Sequence, residues 1–377
     1  LNLSYTKAEL EFGAEVRDWL SRHVPPGGLG SGDTRTGFTA HVEWEKQLFD
    51  ARWSAVSWPV ELGGRGASLW EWLIFEEEYY RAGAPARVTQ NGIFLLAPSL
   101  FEFGTEEQKR TLLPRMAAAD DLWCQGWSEP GAGSDLAAIT SKAEQTAEGW
   151  RLNGQKTWTT RGAFCTHMFG LFRSDPNQSK HRGLSYFLVP LATPGVEVRG
   201  FARLDGDEGF ADVFLADVVV AQDAVLGATG GGWQVAMATT GSERGLTLRS
   251  PGRFMATFER LRELASRRPE RVDDWTRDLL VRCWMEVESY RLATLGTVTS
   301  ILHGQPLGAA SSLNKLAWSE LDILMHDAAA QLNGVESVLD DEWSRGLMFS
   351  LAGPIYAGTN EIQRNIVAER LLGLPRG

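Results

Sequence analysis

Apolar residues recur at helical spacing over roughly the first 120 positions, broken by Pro- and Gly-rich punctuation. The spacing predicts a helix over Ala8–Leu20, a second from near Thr39, and two more over Leu69–Ala82 and Glu106–Ala118. Thr105 supplies the capping signal for the last of these. Between them, Pro25–Gly37 (PPGGLGSGDTRTG) reads as a flexible connection and Trp58–Ala67 (WPVELGGRGA) as a loop.

The pattern changes at about Leu122. From there to about Leu226, short β-branched or aromatic runs alternate with turn signals, which predicts a compact β domain. Leu184–Leu191, Val196–Val198 and Val213–Val220 are strand candidates, and Asn153-Gly154 within Trp150–Trp158 predicts a hairpin turn between two short strands. After Gly230-Gly231-Gly232 helical periodicity returns over Trp233–Leu248, Met255–Ser266, Trp275–His303, Leu307–Leu332 and Asn360–Leu372. Pro251 must interrupt or kink the helical run, because it lacks an N–H and clashes with the preceding turn. The expected fold class is mainly α with a central β domain. The divisions fall at 1–121 (helical), 122–228 (β) and 229–377 (helical), with no internal repeat.

Composition narrows the function classes. With 377 residues, 43% hydrophobic and 23% charged, the chain can bury a large core. A net charge of −11 argues against nucleic acid, whose phosphates need clustered Lys and Arg. Three widely spaced cysteines and six scattered histidines offer no disulfide framework or metal motif, so no metal is expected. No apolar run approaches the ~18–20 residues of a membrane span. The opening LNLSYTKAELEFG lacks the charged start and apolar core of a signal peptide, so the expected setting is cytoplasmic.

The segment richest in chemistry is Trp123–Asp135, WCQGWSEPGAGSD. Gly131, Gly133 and Ser134 form a small-residue loop whose backbone N–H groups could approach a phosphate, although the spacing matches neither a P-loop nor a Rossmann fingerprint. On physics alone, a plain Gly/Ser/Asp turn joining two strands is the more ordinary reading. WSEPGAGSDL followed by NGQKTWTT, however, closely resembles the flavin-binding signature of the acyl-CoA dehydrogenase family, and Ile355–Gly373 (IYAGTNEIQRNIVAERLLG) resembles its C-terminal signature. GTEEQK and WPVELGGRGA extend the likeness over nearly the whole chain.

The resemblance implies an N-terminal helical domain, a central β-barrel and a C-terminal four-helix bundle, with FAD as cofactor. It implies that Trp127 and Ser128 lie along the flavin pyrimidine edge, that Gly133 and Ser134 serve the pyrophosphate, that Trp158 shields a flavin face and that Thr160 bonds near N5. Thr359, Glu361 and, less closely, Gln331 match positions serving the adenine half of FAD, often in a neighbouring subunit.

One expected residue is missing. Many family members carry a catalytic Glu where this chain has Ala357, which cannot accept a proton. A minority of the family places its base on the first helix of the C-terminal domain beside an arginine, and Glu243-Arg244 matches that arrangement. Gly241 and Gly245 leave one face of that helix bare. The implied reaction is α,β-dehydrogenation of an acyl-CoA thioester: Glu243 takes the α-proton as hydride passes to FAD, and the backbone N–H of Ala357 helps hold the thioester oxygen. Two alternatives share the fold, a flavin monooxygenase or nitroalkane-oxidase-like enzyme, and a non-catalytic subunit of a heteromeric dehydrogenase.

Asn91-Gly92 falls where relatives close the far end of the acyl pocket, which suggests room for a bulky, steroid-like group. Arg267–Leu279 lacks the Phe-Gly of many homotetrameric relatives. The resemblance is strongest to actinobacterial steroid-side-chain dehydrogenases, in which two related chains form an α2β2 assembly. A homo-oligomer or such a heterotetramer is expected, with an electron-transferring flavoprotein as acceptor.

Overall fold

The computed structural model describes residues 5–244, 250–305 and 308–375, with the side chains of 242–244 outside that description. In chain order the α-helices are α1 (Lys7–His23), α2 (Arg35–Asp50), α3 (Leu69–Arg81), α4 (Ala97–Phe103), α5 (Glu106–Ala117) and α6 (Gly232–Arg244). They continue with α7 (Pro251–Arg267), α8 (Asp274–Leu302), α9 (Ser311–Asn333), α10 (Glu342–Ser350) and α11 (Asn360–Ile366). The strands are β1 (Trp123–Gly126), β2 (Lys142–Thr146), β3 (Gly149–Thr160), β4 (His167–Arg173), β5 (Leu184–Pro190), β6 (Val196–Phe201), β7 (Phe210–Val220) and β8 (Val225–Leu226). The helix–strand–helix order follows the hydrophobic pattern. Pro251 does break the run, as the first residue of α7 after the cap position Ser250.

The chain separates into two compact units. The helical unit gathers the chain up to Gly28, Ala67–Ala84 and everything from Arg244 onward. Its core joins Phe254 and Leu261 of α7, Cys283, Val287 and Tyr290 of α8, Trp318, Met325 and Leu332 of α9, and Trp343 of α10. Two glycines let neighbouring helices close on α3. A Cβ on Gly13 would lie 3.1 Å from Ile74, and one on Gly252 would lie 2.8 Å from the Glu76 carbonyl oxygen, so α1 and α7 approach α3 where side chains are absent. Thr6 with Glu9 and Ser68 with Glu71 form reciprocal capping boxes that fix the starts of α1 and α3.

The second unit holds Leu29–Gly66 and Pro85–Glu243. Its strands form one sheet of eight in the order β6-β7-β3-β2-β4-β5-β8, with β1 paired in parallel to β4. Trp150, Leu152, Phe172, Phe187, Val213 and Val218 supply its core. Alternation along β7 buries every second residue from Ala211 to Leu215.

The expected hairpin at Asn153-Gly154 is not there. β3 runs unbroken for 12 residues through both, and the turn to β2 lies earlier, between Thr146 and Gly149. Gly154 instead sits at a register shift between β3 and β7, with φ +150°, where a Cβ would lie 2.1 Å from the Ser141 Oγ. The same tolerance for unusual backbone that favours glycine in turns here serves a bulge and a close approach. Among the described residues no helix is long and apolar enough to cross a membrane, and no cluster of His, Cys, Asp or Glu could hold a metal.

Candidate active site

The segment after β1 turns back at Glu129 and Ala132, which exchange backbone hydrogen bonds of 2.9 and 3.0 Å. Glu129 fastens this turn from within. Its carboxylate accepts from the Thr140 amide (2.7 Å) and hydroxyl (2.9 Å), the Ser141 amide (3.0 Å) and the Lys156 ammonium (2.8 Å). Lys156 is fully buried on β3 and also donates to the Leu171 carbonyl at 2.7 Å. Burial alone would raise the Glu129 carboxyl, but the charge of Lys156 and these hydrogen bonds outweigh it and hold it at about 2. Burial pushes the Lys156 ammonium down to about 8 even beside its partner.

Past this anchor the loop is open. Gly131, Gly133 and Ser134 are exposed, and a Cβ added to either glycine would meet nothing within 4 Å. Neither glycine has positive φ. The chain's own packing therefore sets no need for glycine here, whereas a phosphate group lying against the backbone would.

Trp127 is buried with its ring edge-on to Tyr186 (centroids 6.2 Å apart), and its indole N–H is buried without a hydrogen-bond partner. Ser128 is half-buried and its carbonyl accepts from the Thr157 amide at 2.9 Å, which ties this segment to β3. Trp158 lies at a second register shift of β3 against β7, with φ +57°. An L side chain rarely adopts that backbone conformation, and at 61% exposure burial does little to offset the strain. Thr160 is half-buried at the end of β3, two residues on.

Helix α6 is docked in the same unit through Thr239, whose Oγ1 is 2.7 Å from the Ser99 hydroxyl of α4 and 3.4 Å from the Tyr186 hydroxyl of β5. Glu243 and Arg244 are its last two residues; their side chains, like Gly245 and the rest of 245–249, lie outside the described residues. Gly241, one turn from its end, is exposed with open space where a Cβ would point. Asn91 and Gly92 open a π-helical stretch (Asn91–Leu96) leading directly into α4. Asn91 is half-buried, and a Cβ on Gly92 would lie 2.9 Å from Met116, so packing against α5 accounts for that glycine.

In the helical unit, Ala357 has φ +57° and Gly358 φ +78°, giving a tight reversal before α11. The fully buried Gln363 donates to the carbonyls of Ala357 (3.3 Å) and Gly358 (3.1 Å). Buried Asn360 accepts from Lys315 at 2.6 Å and from the Ser319 hydroxyl at 3.1 Å. Thr359 caps α11 by accepting from the Ile362 amide, and Glu361 is exposed in its first turn. A backbone hydrogen bond and the Thr359 hydroxyl hold the Glu361 carboxyl below the usual range. Gln331 is exposed on the last turn of α9 and donates to Asp327 at 2.9 Å.

Sequence reasoning missed the residues that hold these loops in shape: Glu129, Lys156, Lys315, Asn360 and Gln363. Glu129 and Lys156 stand inside the two segments that carry the resemblance, but their chain neighbours are half-buried or exposed, so the local pattern gave no signal that either is buried.

Models of the acyl-CoA dehydrogenase N-terminal, middle and C-terminal domains match residues 6–120, 124–218 and 230–372. Among curated proteins, the acyl-CoA dehydrogenase IpdE1 of Mycobacterium tuberculosis is 40% identical, covering 97% of this chain and 98% of its own. The human mitochondrial short-chain specific acyl-CoA dehydrogenase is 30% identical, covering 84% of this chain and 79% of its own. Among solved structures, the Tcur3481-Tcur3483 steroid ACAD superposes with a TM-score of 0.89 at 26% identity over all of both chains. The ChsE4-ChsE5 complex of Mycobacterium tuberculosis does so with a TM-score of 0.85 at 28% identity, again over all of both chains. The cofactor of such enzymes is FAD, and the open glycine loop and the exposed, strained Trp158 suit a phosphate-bearing aromatic ligand. The chain belongs to the acyl-CoA dehydrogenase family and is an FAD-dependent oxidoreductase.

Proposed function

We propose that this enzyme desaturates a bulky, steroid-like acyl-CoA between its α and β carbons, with Glu243 as the α-proton base. The observation that carries the assignment is the pairing of an alanine at position 357 with a carboxylate at the end of a firmly docked helix. Thr239, one turn before Glu243, bonds to both α4 and β5, so the end of α6 starts from a fixed point. A base must be held within hydrogen-bond reach of its proton, which favours a rigid element over a loop.

In this reading Trp127, Ser128, Trp158 and Thr160 orient the flavin, Gly133 and Ser134 hold its pyrophosphate, and Gln331, Thr359 and Glu361 serve the adenine end. Bound FAD would supply the hydride acceptor. Arg244 would balance the charge of Glu243, and the backbone at Ala357 would donate to the thioester oxygen. That donation depends on the peptide, so the alanine keeps it while losing the carboxylate. Asn91 would meet the distal part of the acyl group. The steroid-like preference draws on the likeness to the solved steroid ACAD.

The same likenesses support an oligomer, either of one chain or with a homologous partner, as in the ChsE4-ChsE5 complex. An apolar stripe on α8 supports it independently. Val281, Trp284, Met285 and Leu292 are 40–56% exposed on the face opposite the buried Cys283, Val287 and Tyr290. An electron-transferring flavoprotein is the proposed acceptor and the cytoplasm the proposed setting.

Anaerobic titration with a panel of acyl-CoAs that includes a steroid-CoA is the test. Bleaching of the flavin band by the steroid-CoA, abolished in Glu243→Gln with FAD still bound, is the expected result. Unchanged bleaching in Glu243→Gln would remove this residue from the base role. A flavin that no thioester reduces would remove the dehydrogenation reading.

A further inference from the structure

Trp158 poses a physical problem. Its backbone is strained, its ring is mostly exposed, and its ring contacts are the edges of Phe201 (5.3 Å) and Phe210 (5.6 Å). Something must hold the surrounding backbone, or the strain would relax by turning the indole away.

Phe201 ends β6 and Phe210 begins β7, so the turn between them sets where both rings stand. That turn is built on Arg203. Its guanidinium donates to both oxygens of Asp205 (3.3 and 2.7 Å), and its amide donates to the Asp207 carbonyl at 2.9 Å. Gly209 lies directly over the guanidinium, where a Cβ would come within 2.4 Å of Nη1. On the other side, β3 ends at Thr160 and the next residue, Arg161, is itself held at φ +56°. Its amide donates to the Gly209 carbonyl at 2.9 Å.

One carboxylate joins the two segments. Oδ1 of Asp33 accepts from Arg161 Nε at 2.6 Å, and Oδ2 accepts from Arg203 Nη1 at 2.5 Å. Asp33 comes from outside the sheet, two residues before α2, and its side chain is only 12% exposed. Arg161 also reaches the Arg87 carbonyl at 3.3 Å, which adds a third anchor.

We propose that Asp33 is a positioning residue for the flavin-facing wall, holding Trp158 and Thr160 in place through Arg161 and Arg203. The inference rests on the reading that Trp158 faces the flavin. Two oxygens on one rigid group suit the task, because each forms a charge-assisted bond to a different segment and neither segment can move without breaking one. An amide cannot replace it: Asn offers one acceptor oxygen and turns N–H donors toward the second arginine. Burial would raise the Asp33 carboxyl, yet the two guanidinium groups bring it below its ordinary value, so the clamp is charged throughout the neutral range.

The test compares Asp33→Asn, Arg161→Lys, Trp158→Ala and Glu78→Gln in the FAD-loaded protein. Visible circular dichroism of the bound flavin and the rate of FAD release are the readouts, with the melting temperature alongside. Glu78 is the control, a buried carboxylate of the helical unit that likewise bridges two arginines, Arg17 and Arg81. Asp33→Asn should change the flavin dichroism in the direction of Trp158→Ala and release FAD roughly tenfold faster, the size of one lost charged hydrogen bond. Glu78→Gln should lower the melting temperature without either change. Arg161→Lys, which keeps the charge but loses the planar fork, should show a smaller effect of the same sign and serves if Asp33→Asn does not fold.

An Asp33→Asn protein that is merely less stable, with flavin dichroism and release like wild type, overturns the proposal. A Trp158→Ala protein with unchanged flavin dichroism overturns it differently, by removing the reading beneath it.

Discussion

At the scale of single residues, the pair Glu129–Lys156 is a costly feature to disturb. Both side chains are almost wholly buried at 2.8 Å separation, and between them they join the turn at Glu129–Ala132, the Thr140–Ser141 amides and the Leu171 carbonyl. Removing one member strands the other in a medium that solvates it poorly, so Glu129→Gln should lose about 3–5 kcal/mol in urea unfolding at neutral pH. The pH dependence follows from the folded carboxyl lying at about 2 against an ordinary 4.5. Below 4.5 the unfolded chain binds a proton that the folded chain refuses. The stabilisation is therefore complete above 4.5 and disappears as pH falls toward 2. Unfolding midpoints of wild type at pH 5 and pH 3 should differ by more than those of Glu129→Gln. Equal differences in the two proteins would mean that other carboxylates govern the acid limb.

At the scale of elements, β3 depends on Gly154. Its φ of +150° is open to glycine, and the 2.1 Å approach of a Cβ to Ser141 Oγ would press on the residue whose amide binds Glu129. Gly154→Ala should cost about 1–3 kcal/mol from backbone strain and crowding together. The double variant Gly154→Ala with Ser141→Gly keeps the strain and removes the crowding, so the recovered stability measures the contact. No recovery would assign the whole cost to the backbone. The same residue shows where sequence reading stops. Long helices such as α1, α3 and α8 were legible because their apolar faces repeat over several turns and their caps are local. Asn153-Gly154 was misread because turns and bulges share a need for unusual φ, and only pairing with distant β7 decides between them. The Trp123–Asp135 segment stood out through its resemblance, but Glu129 and Lys156 within and beyond it did not, since hydrophobic periodicity treats a buried ion pair as two surface positions. The clamp at Asp33 was invisible for a further reason: its partners are 128 and 170 residues away.

At the scale of the whole molecule, the stripe on α8 asks what covers it. Along this helix of 29 residues, Cys283, Val287, Tyr290, Thr294 and Val298 are buried on one face, and Val281, Trp284, Met285 and Leu292 line the opposite one. Burying such side chains is worth ~1.5–3 kcal/mol each, so four together exceed what a lone exposed apolar residue signifies. If this face is a subunit interface, placing two carboxylates in it should dissociate the assembly while leaving the α8 core untouched. The double variant Trp284→Glu, Met285→Glu should therefore sediment as a smaller species than wild type with unchanged helical circular dichroism. Should the wild-type chain alone already sediment as a monomer, the same comparison after co-expression with a homologous chain decides whether the partner seats on this face. A double variant that sediments like wild type in both settings would exclude α8 from the interface.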